Sequence, residues 1–283
     1  MEQQVQGQQG GDGLGEGVGP TARGAHGENV SPGVTTGKTP MIVFIHGAGI
    51  SSWMWREQLA ALAGFQGLAV DLPGHGNSAA PWVSVPDAAD AVANTILRQA
   101  PGGRAHVVGL SLGGVVALQL LAQHPDTVDR MLVSGTLATG LPGAGILAGL
   151  TALTLPIGKW DPLVRLTAKM MAVSPADYPD LQADVRRLKA GPLRQMILDV
   201  TTFRPPLVLA QRRHSVLVVA GGKEHRKVRE SVGRLVALMP NARGGLIPGG
   251  QHTWNWQWPA RFNALIQAWF RDERVSDFVA SSA

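Results

Sequence analysis

The chain has 283 residues, of which 45% are hydrophobic and 16% are charged. This balance is typical of a globular protein with an apolar core, and it excludes a fibrous or wholly disordered chain. The absence of cysteine excludes disulfides, a thiolate nucleophile and cysteine-ligated metals. The formal net charge of +5 comes from scattered Lys and Arg without a nucleic-acid-binding motif, so we expect no nucleic-acid partner.

The N-terminal segment, residues 1–38, is rich in Gly and Gln and holds few large apolar side chains. Such a segment buries too little apolar surface to offset the entropy of ordering, so the sequence predicts a disordered tail. It lacks the basic stretch followed by an apolar one that marks a signal peptide, and we expect a cytoplasmic protein. A short second tail is predicted at residues 276–283.

From Met41 onward, short apolar runs alternate with helical patterns. The run Met41-Ile42-Val43-Phe44-Ile45 is typical of a strand that is buried on both faces. Further strands are predicted at 67–71, 105–109, 131–134, 216–220 and 244–247, and helices at 54–63, 86–99, 113–123, 227–238 and 259–271. This alternation indicates an α/β fold with a mostly parallel sheet and helices on both faces.

Between Gly135 and Pro206 the alternation stops, and the sequence consists of helical patterns and turns. We predict a helical cap over residues 135–206, inserted into a core made of residues 39–134 and 207–275. An insertion at this point lies at the carboxyl end of the sheet, where ligands bind in open α/β folds. The cap is therefore predicted to cover a ligand site.

The first part of this cap, residues 135–158, is uncharged and strongly apolar. It is about as long as a membrane span, but prolines and repeated glycines interrupt it, so no span is predicted. Farther along, Trp160, Met170 and Met171 suggest an apolar acyl or aryl substrate group, because Met and aromatic side chains line adaptable apolar pockets. Plain packing of the cap on the core is an equal alternative for these side chains.

A candidate nucleophile lies in the run Gly109-Leu110-Ser111-Leu112-Gly113, which matches the pattern G-x-S-x-G. The run follows the predicted strand at 105–109 and opens an apolar helical pattern, which is the strand-turn-helix setting that the motif requires. Flanking glycines let the backbone pass closely around a strained turn that points the serine oxygen out of the sheet. Ser111 is therefore predicted to be the nucleophile.

A candidate oxyanion loop follows the first strand as His46-Gly47-Ala48-Gly49. A developing oxyanion needs hydrogen-bond donors that are fixed in advance, and the backbone N–H groups of Ala48 and Leu112 would supply two. An ordinary glycine turn is the alternative interpretation. The occurrence of this run in the same chain as the predicted nucleophile Ser111 favours the oxyanion loop.

These motifs, together with Asp71-Leu72-Pro73-Gly74-His75-Gly76-Asn77-Ser78 and a histidine near the C-terminus, resemble the α/β-hydrolase superfamily. The resemblance covers roughly residues 40–271. It implies a catalytic centre whose members occur along the chain in the order serine, acid, histidine.

The resemblance implies that His252 is the general base and Glu224 the acid. His252 follows the last predicted strand, and Glu224 follows the strand at 216–220. Relatives usually place aspartate where this chain has Glu224, and a surface glutamate is the alternative. His46 and His75 are expected to shape loops near the site.

The expected function is hydrolysis of a carboxylic ester, or a related thioester, lactone or amide, through an acyl-enzyme on Ser111. The substrate is expected to be a small molecule, without a cofactor or a metal. Serine at this position argues against the related dehalogenases and epoxide hydrolases, which carry aspartate. Perhydrolysis of the haloperoxidase kind, C–C bond cleavage and a small-molecule sensor stay open as alternatives, and so does the oligomeric state.

Overall fold

The computed structural model describes residues 39–275 and the backbone of Val279–Ala280. The predicted tail at residues 1–38 lies outside the described residues, as does most of the predicted tail at 276–283. Within that second tail, Val279–Ala280 forms a short strand that the sequence did not indicate. Within the described residues, no helix is long and apolar enough to cross a membrane.

One twisted sheet organises the described part of the chain. Its strands are β1 Met41–Ile45, β2 Gln66–Val70, β3 Ala105–Leu110, β4 Val128–Ser134, β5 Ser215–Gly221, β6 Ala242–Ile247 and β7 Val279–Ala280. Their spatial order is β2-β1-β3-β4-β5-β6-β7, with β1 to β6 parallel and β7 antiparallel to β6. The predicted, mostly parallel α/β sheet is confirmed.

Strand β1 is apolar at every position because both faces of the sheet are covered at this strand. In β1, Val43 and Ile45 belong to one hydrophobic cluster, whereas Ile42 and Phe44 belong to the other, as the two-residue period of a strand requires. Burial of β1 on both faces therefore explains the continuous apolar run at 41–45, as the sequence predicts.

Helices cover both faces. They are α1 Arg56–Ala60, α2 Val85–Gln99, α3 Leu112–Gln123, α4 Ala144–Gly158, α5 Asp161–Met170, α6 Tyr178–Arg187, α7 Ala190–Thr202, α8 Arg226–Leu238, α9 Trp254–Gln257 and α10 Pro259–Phe270. Side chains of α2, α3 and α8 join the first hydrophobic cluster, and those of α10 join the second. The helix predicted at 54–63 is shorter, because a 3₁₀ turn at Ser52–Trp55 precedes α1 and the chain turns at Gly64 to enter β2.

The interval between β4 and β5 is helical, as the sequence predicts. Helix α4 packs along α7, and α5 packs against α6. We call residues 135–206 the α4–α7 segment. A short 3₁₀ helix at Leu207–Gln211 then leads the chain into β5.

Candidate active site

Ser111 occupies the turn between β3 and α3. Its backbone has φ of 58° and ψ of −116°, a left-handed conformation that L side chains rarely adopt and that costs about 1–3 kcal/mol. The Ser111 N–H donates to the carbonyl of Ser134, at the end of the neighbouring β4, over 2.9 Å. The hydroxyl does not cap α3. The turn thus leaves the Ser111 hydroxyl at the carboxyl edge of the sheet, as predicted.

The glycines around Ser111 are required by close packing. A Cβ atom at Gly109 would overlap the Gly113 carbonyl, and one at Gly113 would overlap the Ile45 carbonyl. At Gly114, a Cβ would collide with the Thr136 side chain. These approaches hold the first turn of α3 against β1 and against the chain that follows β4.

The loop after β1 lies against the serine. A Cβ built at Gly47 would be 3.6 Å from the Cβ of Ser111. Leu112 begins α3, and the first N–H groups of a helix have no acceptor within that helix. Leu112 and Ala48, whose N–H groups the sequence predicts as oxyanion donors, thus belong to the two segments that adjoin Ser111.

Two neutral histidines brace this loop. His46 Nδ1–H donates to the Gly47 carbonyl over 2.8 Å, and His46 Nε2 accepts from the Leu72 N–H over 3.0 Å. Burial, together with the nearby His75, lowers the pKa of His46 to about 3. His75 Nε2 accepts from the Gly49 N–H over 3.2 Å, and burial also lowers the pKa of His75. Both rings accept only when neutral, and their predicted loop-shaping role is confirmed.

Asp71 ties the second loop to the first. Its carboxylate accepts from the backbone N–H of Ser52 and from that of Asn77, each over 2.8 Å. Burial raises the pKa of Asp71, but these hydrogen bonds outweigh it and the pKa lies below its ordinary value. An ionised Asp71 therefore fixes the segment that carries His75.

Glu224 and His252 form a hydrogen-bonded pair. His252 Nδ1 lies 2.5 Å from Glu224 Oε2, while Glu224 Oε1 accepts from the Gly221 N–H over 2.7 Å. The Glu224 side chain is 3% exposed, whereas 44% of the His252 side chain is exposed. The acid is thus buried and held at both oxygens, and the imidazole reaches solvent.

The negative charge of Glu224 changes the pKa of the His252 imidazole. Desolvation lowers the pKa of His252, but the hydrogen bond and the negative charge of Glu224 outweigh it, so the pKa lies above its ordinary value. A carboxylate placed in this way also selects the tautomer that carries the proton on Nδ1 and leaves Nε2 free to accept a proton.

Backbone hydrogen bonds join the two loops that carry the pair. The Gly222 N–H donates to the Ile247 carbonyl over 2.8 Å, and the Lys223 N–H donates to the Gly250 carbonyl over 2.9 Å. A Cβ at Gly221 would overlap the carbonyl of Gly250. Glu224 and His252, far apart in sequence, therefore sit on one joined frame.

Gly135 connects this pair to the serine, and the sequence alone did not identify it. It adopts φ of +60°, and a Cβ there would lie 2.9 Å from His252 Nδ1 and 3.2 Å from Glu224 Oε2. Gly135 directly follows Ser134, whose carbonyl accepts from the Ser111 N–H. The structure thereby brings Ser111, Glu224 and His252 to one edge of the sheet. A glycine directly after a strand that pairs with the nucleophile strand was the available signal.

The residues after His252 anchor its loop on two sides. The indole N–H of the fully buried Trp254 donates to Ser134 Oγ over 2.9 Å. The hydroxyl of Thr253 donates to the Met171 carbonyl over 2.7 Å, which ties the loop to the end of α5. Glu230, the next acid along the chain after Glu224, bonds instead to Arg226 and Lys227 on α8.

A cavity of about 300 Å³ adjoins the loop after β1 and the turn between α6 and α7. Its apolar lining includes Ile50, Trp82, Leu188, Leu193 and Met196, and its polar lining includes His75, Asp184, Arg187 and Lys189. Trp160 and Met170, which the sequence suggested for a pocket, are 63% and 69% exposed and line no part of this cavity. The spacing of these residues indicates an apolar helix face, but a sequence pattern does not show what that face contacts.

No group of three or more His, Asp or Glu side chains suited to holding a metal ion occurs in the described part of the chain.

A profile of the α/β hydrolase family matches residues 42–265, and the chain belongs to this family. An esterase of Mycobacterium tuberculosis is 38% identical over 101 residues, which are 34% of this chain and 33% of that protein. A pimeloyl-acyl-carrier-protein methyl ester esterase of Nitrosomonas europaea is 26% identical over 260 residues, covering 83% of this chain and 97% of that protein. The crystal structure of a hydrolase from Pseudomonas aeruginosa is similar with a TM-score of 0.65 at 26% identity, covering 82% of this chain and 90% of that one. The chain is therefore an α/β-hydrolase enzyme.

Proposed function

We propose that this enzyme hydrolyses carboxylic esters through an acyl-enzyme on Ser111, with His252 as general base and Glu224 as the acid of the triad. The carrying observation is the Glu224–His252 pair, in which a buried carboxylate holds one nitrogen of a solvent-accessible imidazole. That imidazole lies against Gly135, one residue beyond the carbonyl that binds the Ser111 backbone. The relatives named as esterases support the same reaction class.

In the first half-reaction, the Ser111 hydroxyl attacks the ester carbonyl carbon while His252 Nε2 accepts its proton. The carbonyl oxygen becomes an oxyanion, to which the N–H groups of Ala48 and Leu112 donate. The bond to the alcohol oxygen then breaks, and His252 gives its proton to the departing alcohol. Glu224 stays ionised throughout and stabilises the imidazolium.

In the second half-reaction, His252 accepts a proton from a water molecule as that water attacks the acyl carbon on Ser111. The second tetrahedral intermediate collapses to a carboxylic acid, and His252 returns the proton to the Ser111 oxygen. A thioester, lactone or amide would follow the same sequence with a different leaving group.

We further propose that residues 135–206 act as a cap that selects the substrate. The α6–α7 turn lies close over the oxyanion loop, since Leu188 Cδ1 is 3.7 Å from the position of a Cβ at Gly49. The adjoining cavity is apolar on one side, at Trp82, Leu193 and Met196, and it suits a small substrate with an apolar acyl or aryl group.

A fluorophosphonate probe followed by peptide mapping tests the proposed nucleophile. We expect labelling at Ser111 in the folded protein and no labelling of Ser111→Ala, together with turnover of short p-nitrophenyl esters by the unmodified chain only. Labelling of a different serine would contradict the mechanism. Stabilisation by an ester without any turnover would instead favour the sensor alternative.

A further inference from the structure

Helix α4 presents its largest apolar side chains to solvent. Ile146, Leu150, Leu153 and Ile157 are 71%, 55%, 75% and 62% exposed, and their spacing of four, three and four residues puts them on one side of the helix. The buried positions are the small residues Ala144 and Ala148. An ordinary surface helix shows the reverse arrangement. We call the four large residues the α4 apolar face.

The polar side chains of α4 make hydrogen bonds within the helix. No Asp, Glu, Lys or Arg occurs from residue 135 to residue 158. The hydroxyl of Thr151 donates to the Leu147 carbonyl, and that of Thr154 donates to the Leu150 carbonyl, each over 2.9 Å. Burial of this side in an apolar medium would therefore leave no unpaired side-chain polar group, which is the main cost of such a transfer.

Basic side chains surround the C-terminal end of α4. Lys159 Nζ donates to the carbonyls of Arg186 and Leu188 over 2.9 and 2.6 Å, which places the end of α6 beside the end of α4. Within the residues that the structure describes, neither Arg186 nor Lys189 pairs with a carboxylate. The adjacent Trp160 is 63% exposed, and its amphipathic ring suits a boundary between apolar and wet surroundings.

The acidic side chains of the α4–α7 segment are engaged by neighbouring groups. Asp177 and Asp180 pair with Arg56, and Asp184 accepts from Ser51 and Trp53. The segment as a whole contains eight basic and five acidic residues. Basic residues thus border the C-terminal end of the α4 apolar face, and the segment that carries this face has a positive net charge.

We propose that the α4 apolar face docks on an anionic lipid surface. The helix has 15 residues and is about 22 Å long, which is too short to span a bilayer, so it would lie in the plane of the interface. Anionic head groups complement the basic rim, whereas the same rim disfavours a second copy of this chain. Residues 1–38 contain Met1, Leu14 and four valines as their larger apolar side chains, too few to cover the face. This inference is independent of the proposed ester chemistry.

Co-sedimentation of the full chain with lipid vesicles tests the proposal. We expect binding to vesicles of phosphatidylcholine mixed with phosphatidylglycerol, weaker binding to phosphatidylcholine alone, and further weakening at high salt. Leu150→Ser/Leu153→Ser should lower the affinity for the mixed vesicles at least about tenfold, because the buried apolar area supplies much of interfacial binding. The matched control Val83→Ser/Leu97→Ser changes side chains that are 60% and 58% exposed outside the α4–α7 segment, and it should bind as the unmodified chain does.

The variant Arg186→Gln tests how much the positive charge of Arg186 contributes to vesicle binding. We expect about a fivefold loss of affinity for the mixed vesicles and no change with phosphatidylcholine alone. Failure of the unmodified chain to sediment with either vesicle would overturn the proposal. So would a dimer in light scattering that Leu150→Ser/Leu153→Ser converts to a monomer, because a second copy would then cover the face. Turnover of a short soluble ester, measured on the same samples, should be equal in both double variants, and its absence would count against the ester chemistry alone.

Discussion

The strand-end loops and the α4–α7 segment are held in place by different forces. Around Ser111, Glu224 and His252, backbone packs on backbone, and several glycines leave no room for a Cβ. The α4–α7 segment is held instead by side chains, with buried or half-buried carboxylates of α6 and α7 bonded to the core and a large apolar face left in solvent. Close backbone packing leaves little room for movement in the first region, whereas the second region depends on side-chain hydrogen bonds and can shift without breaking the sheet.

The largest effect is expected from Glu224→Gln, which removes the charge at the most tightly fixed point of the first region. Loss of the corresponding acid in a serine triad costs on the order of 10⁴-fold in turnover. We expect a loss of that size in kcat for a short ester, with little change in melting temperature. Glu230→Gln is the control, because Glu230 bonds only to neighbours on α8, and it should stay near wild type.

The pH dependence of kcat/KM in Glu224→Gln tests whether Glu224 raises the pKa of His252. His252 must be neutral to accept the serine proton, so kcat/KM rises with pH through the pKa of His252. Glu224 raises that pKa, and glutamine carries no charge to raise it. The acidic limb of the residual activity should therefore move to lower pH in Glu224→Gln. A limb that does not move would place the titrating group elsewhere.

Gly135→Ala tests whether the first region depends on close backbone approach. The new Cβ would lie 2.9 Å from the His252 ring in a left-handed backbone conformation, so the imidazole must shift. A displacement of about 1 Å in a catalytic group costs on the order of 100-fold in turnover, and we expect a fall of this size in kcat.

Gly145→Ala provides the matched control in the second region. Gly145 lies on α4, and no atom lies within 4 Å of the position that its Cβ would take. Alanine inside an exposed helix is more favourable than glycine by about 0.5–1 kcal/mol, so this variant should keep full activity and melt slightly higher. Equal losses in both glycine variants would remove the contrast between the two regions.

The difference between the regions also explains what could be predicted from the sequence. Strand β1 was predicted with its observed bounds because both faces of the sheet bury every residue. Strand β4 begins earlier than predicted. The charged residues Asp129 and Arg130 interrupt its apolar pattern, so the sequence predicted the strand only from Met131. In the structure, Arg130 forms an ion pair with Asp272. Strand β7 was missed because two residues carry no pattern.

The candidate site follows the same logic. The positions of Ser111, Glu224 and His252 at one edge of the sheet could be predicted because parallel strands deliver their carboxyl ends to one edge, and each residue follows a strand. Their catalytic roles stay a prediction. Gly135 was missed because its importance arises from contact with a loop more than one hundred residues later. The contacts of the α4–α7 segment escaped for the same reason: Asp184 and Ser51 are separated by 133 residues, and no local pattern encodes their hydrogen bond.

Apart from the control variants, the smallest effect on catalysis is expected where hydrogen bonds of Asp184 join the α4–α7 segment to the loop after β1. Asp184 on α6 accepts hydrogen bonds from Ser51 Oγ over 2.7 Å and from Trp53 Nε1 over 2.6 Å, with 5% of its side chain exposed. Asp184→Ala would leave both donors without their acceptor at a partly buried site. An unsatisfied buried donor costs about 1–3 kcal/mol, so we expect a fall of several degrees in melting temperature.

Catalysis in Asp184→Ala should respond selectively, because Ser51 continues the oxyanion loop and Asp184 lines the adjoining cavity. We expect kcat/KM for an ester with a bulky acyl group to fall several-fold more than that for an acetate ester, through KM. Asp180→Ala is the control on the same helix: Asp180 is 43% exposed and pairs with Arg56, a surface ion pair worth about 0–1 kcal/mol, so neither stability nor selectivity should change measurably. An equal effect of both substitutions would mean that overall charge, and not the buried fastening at Asp184, holds the α4–α7 segment over the site.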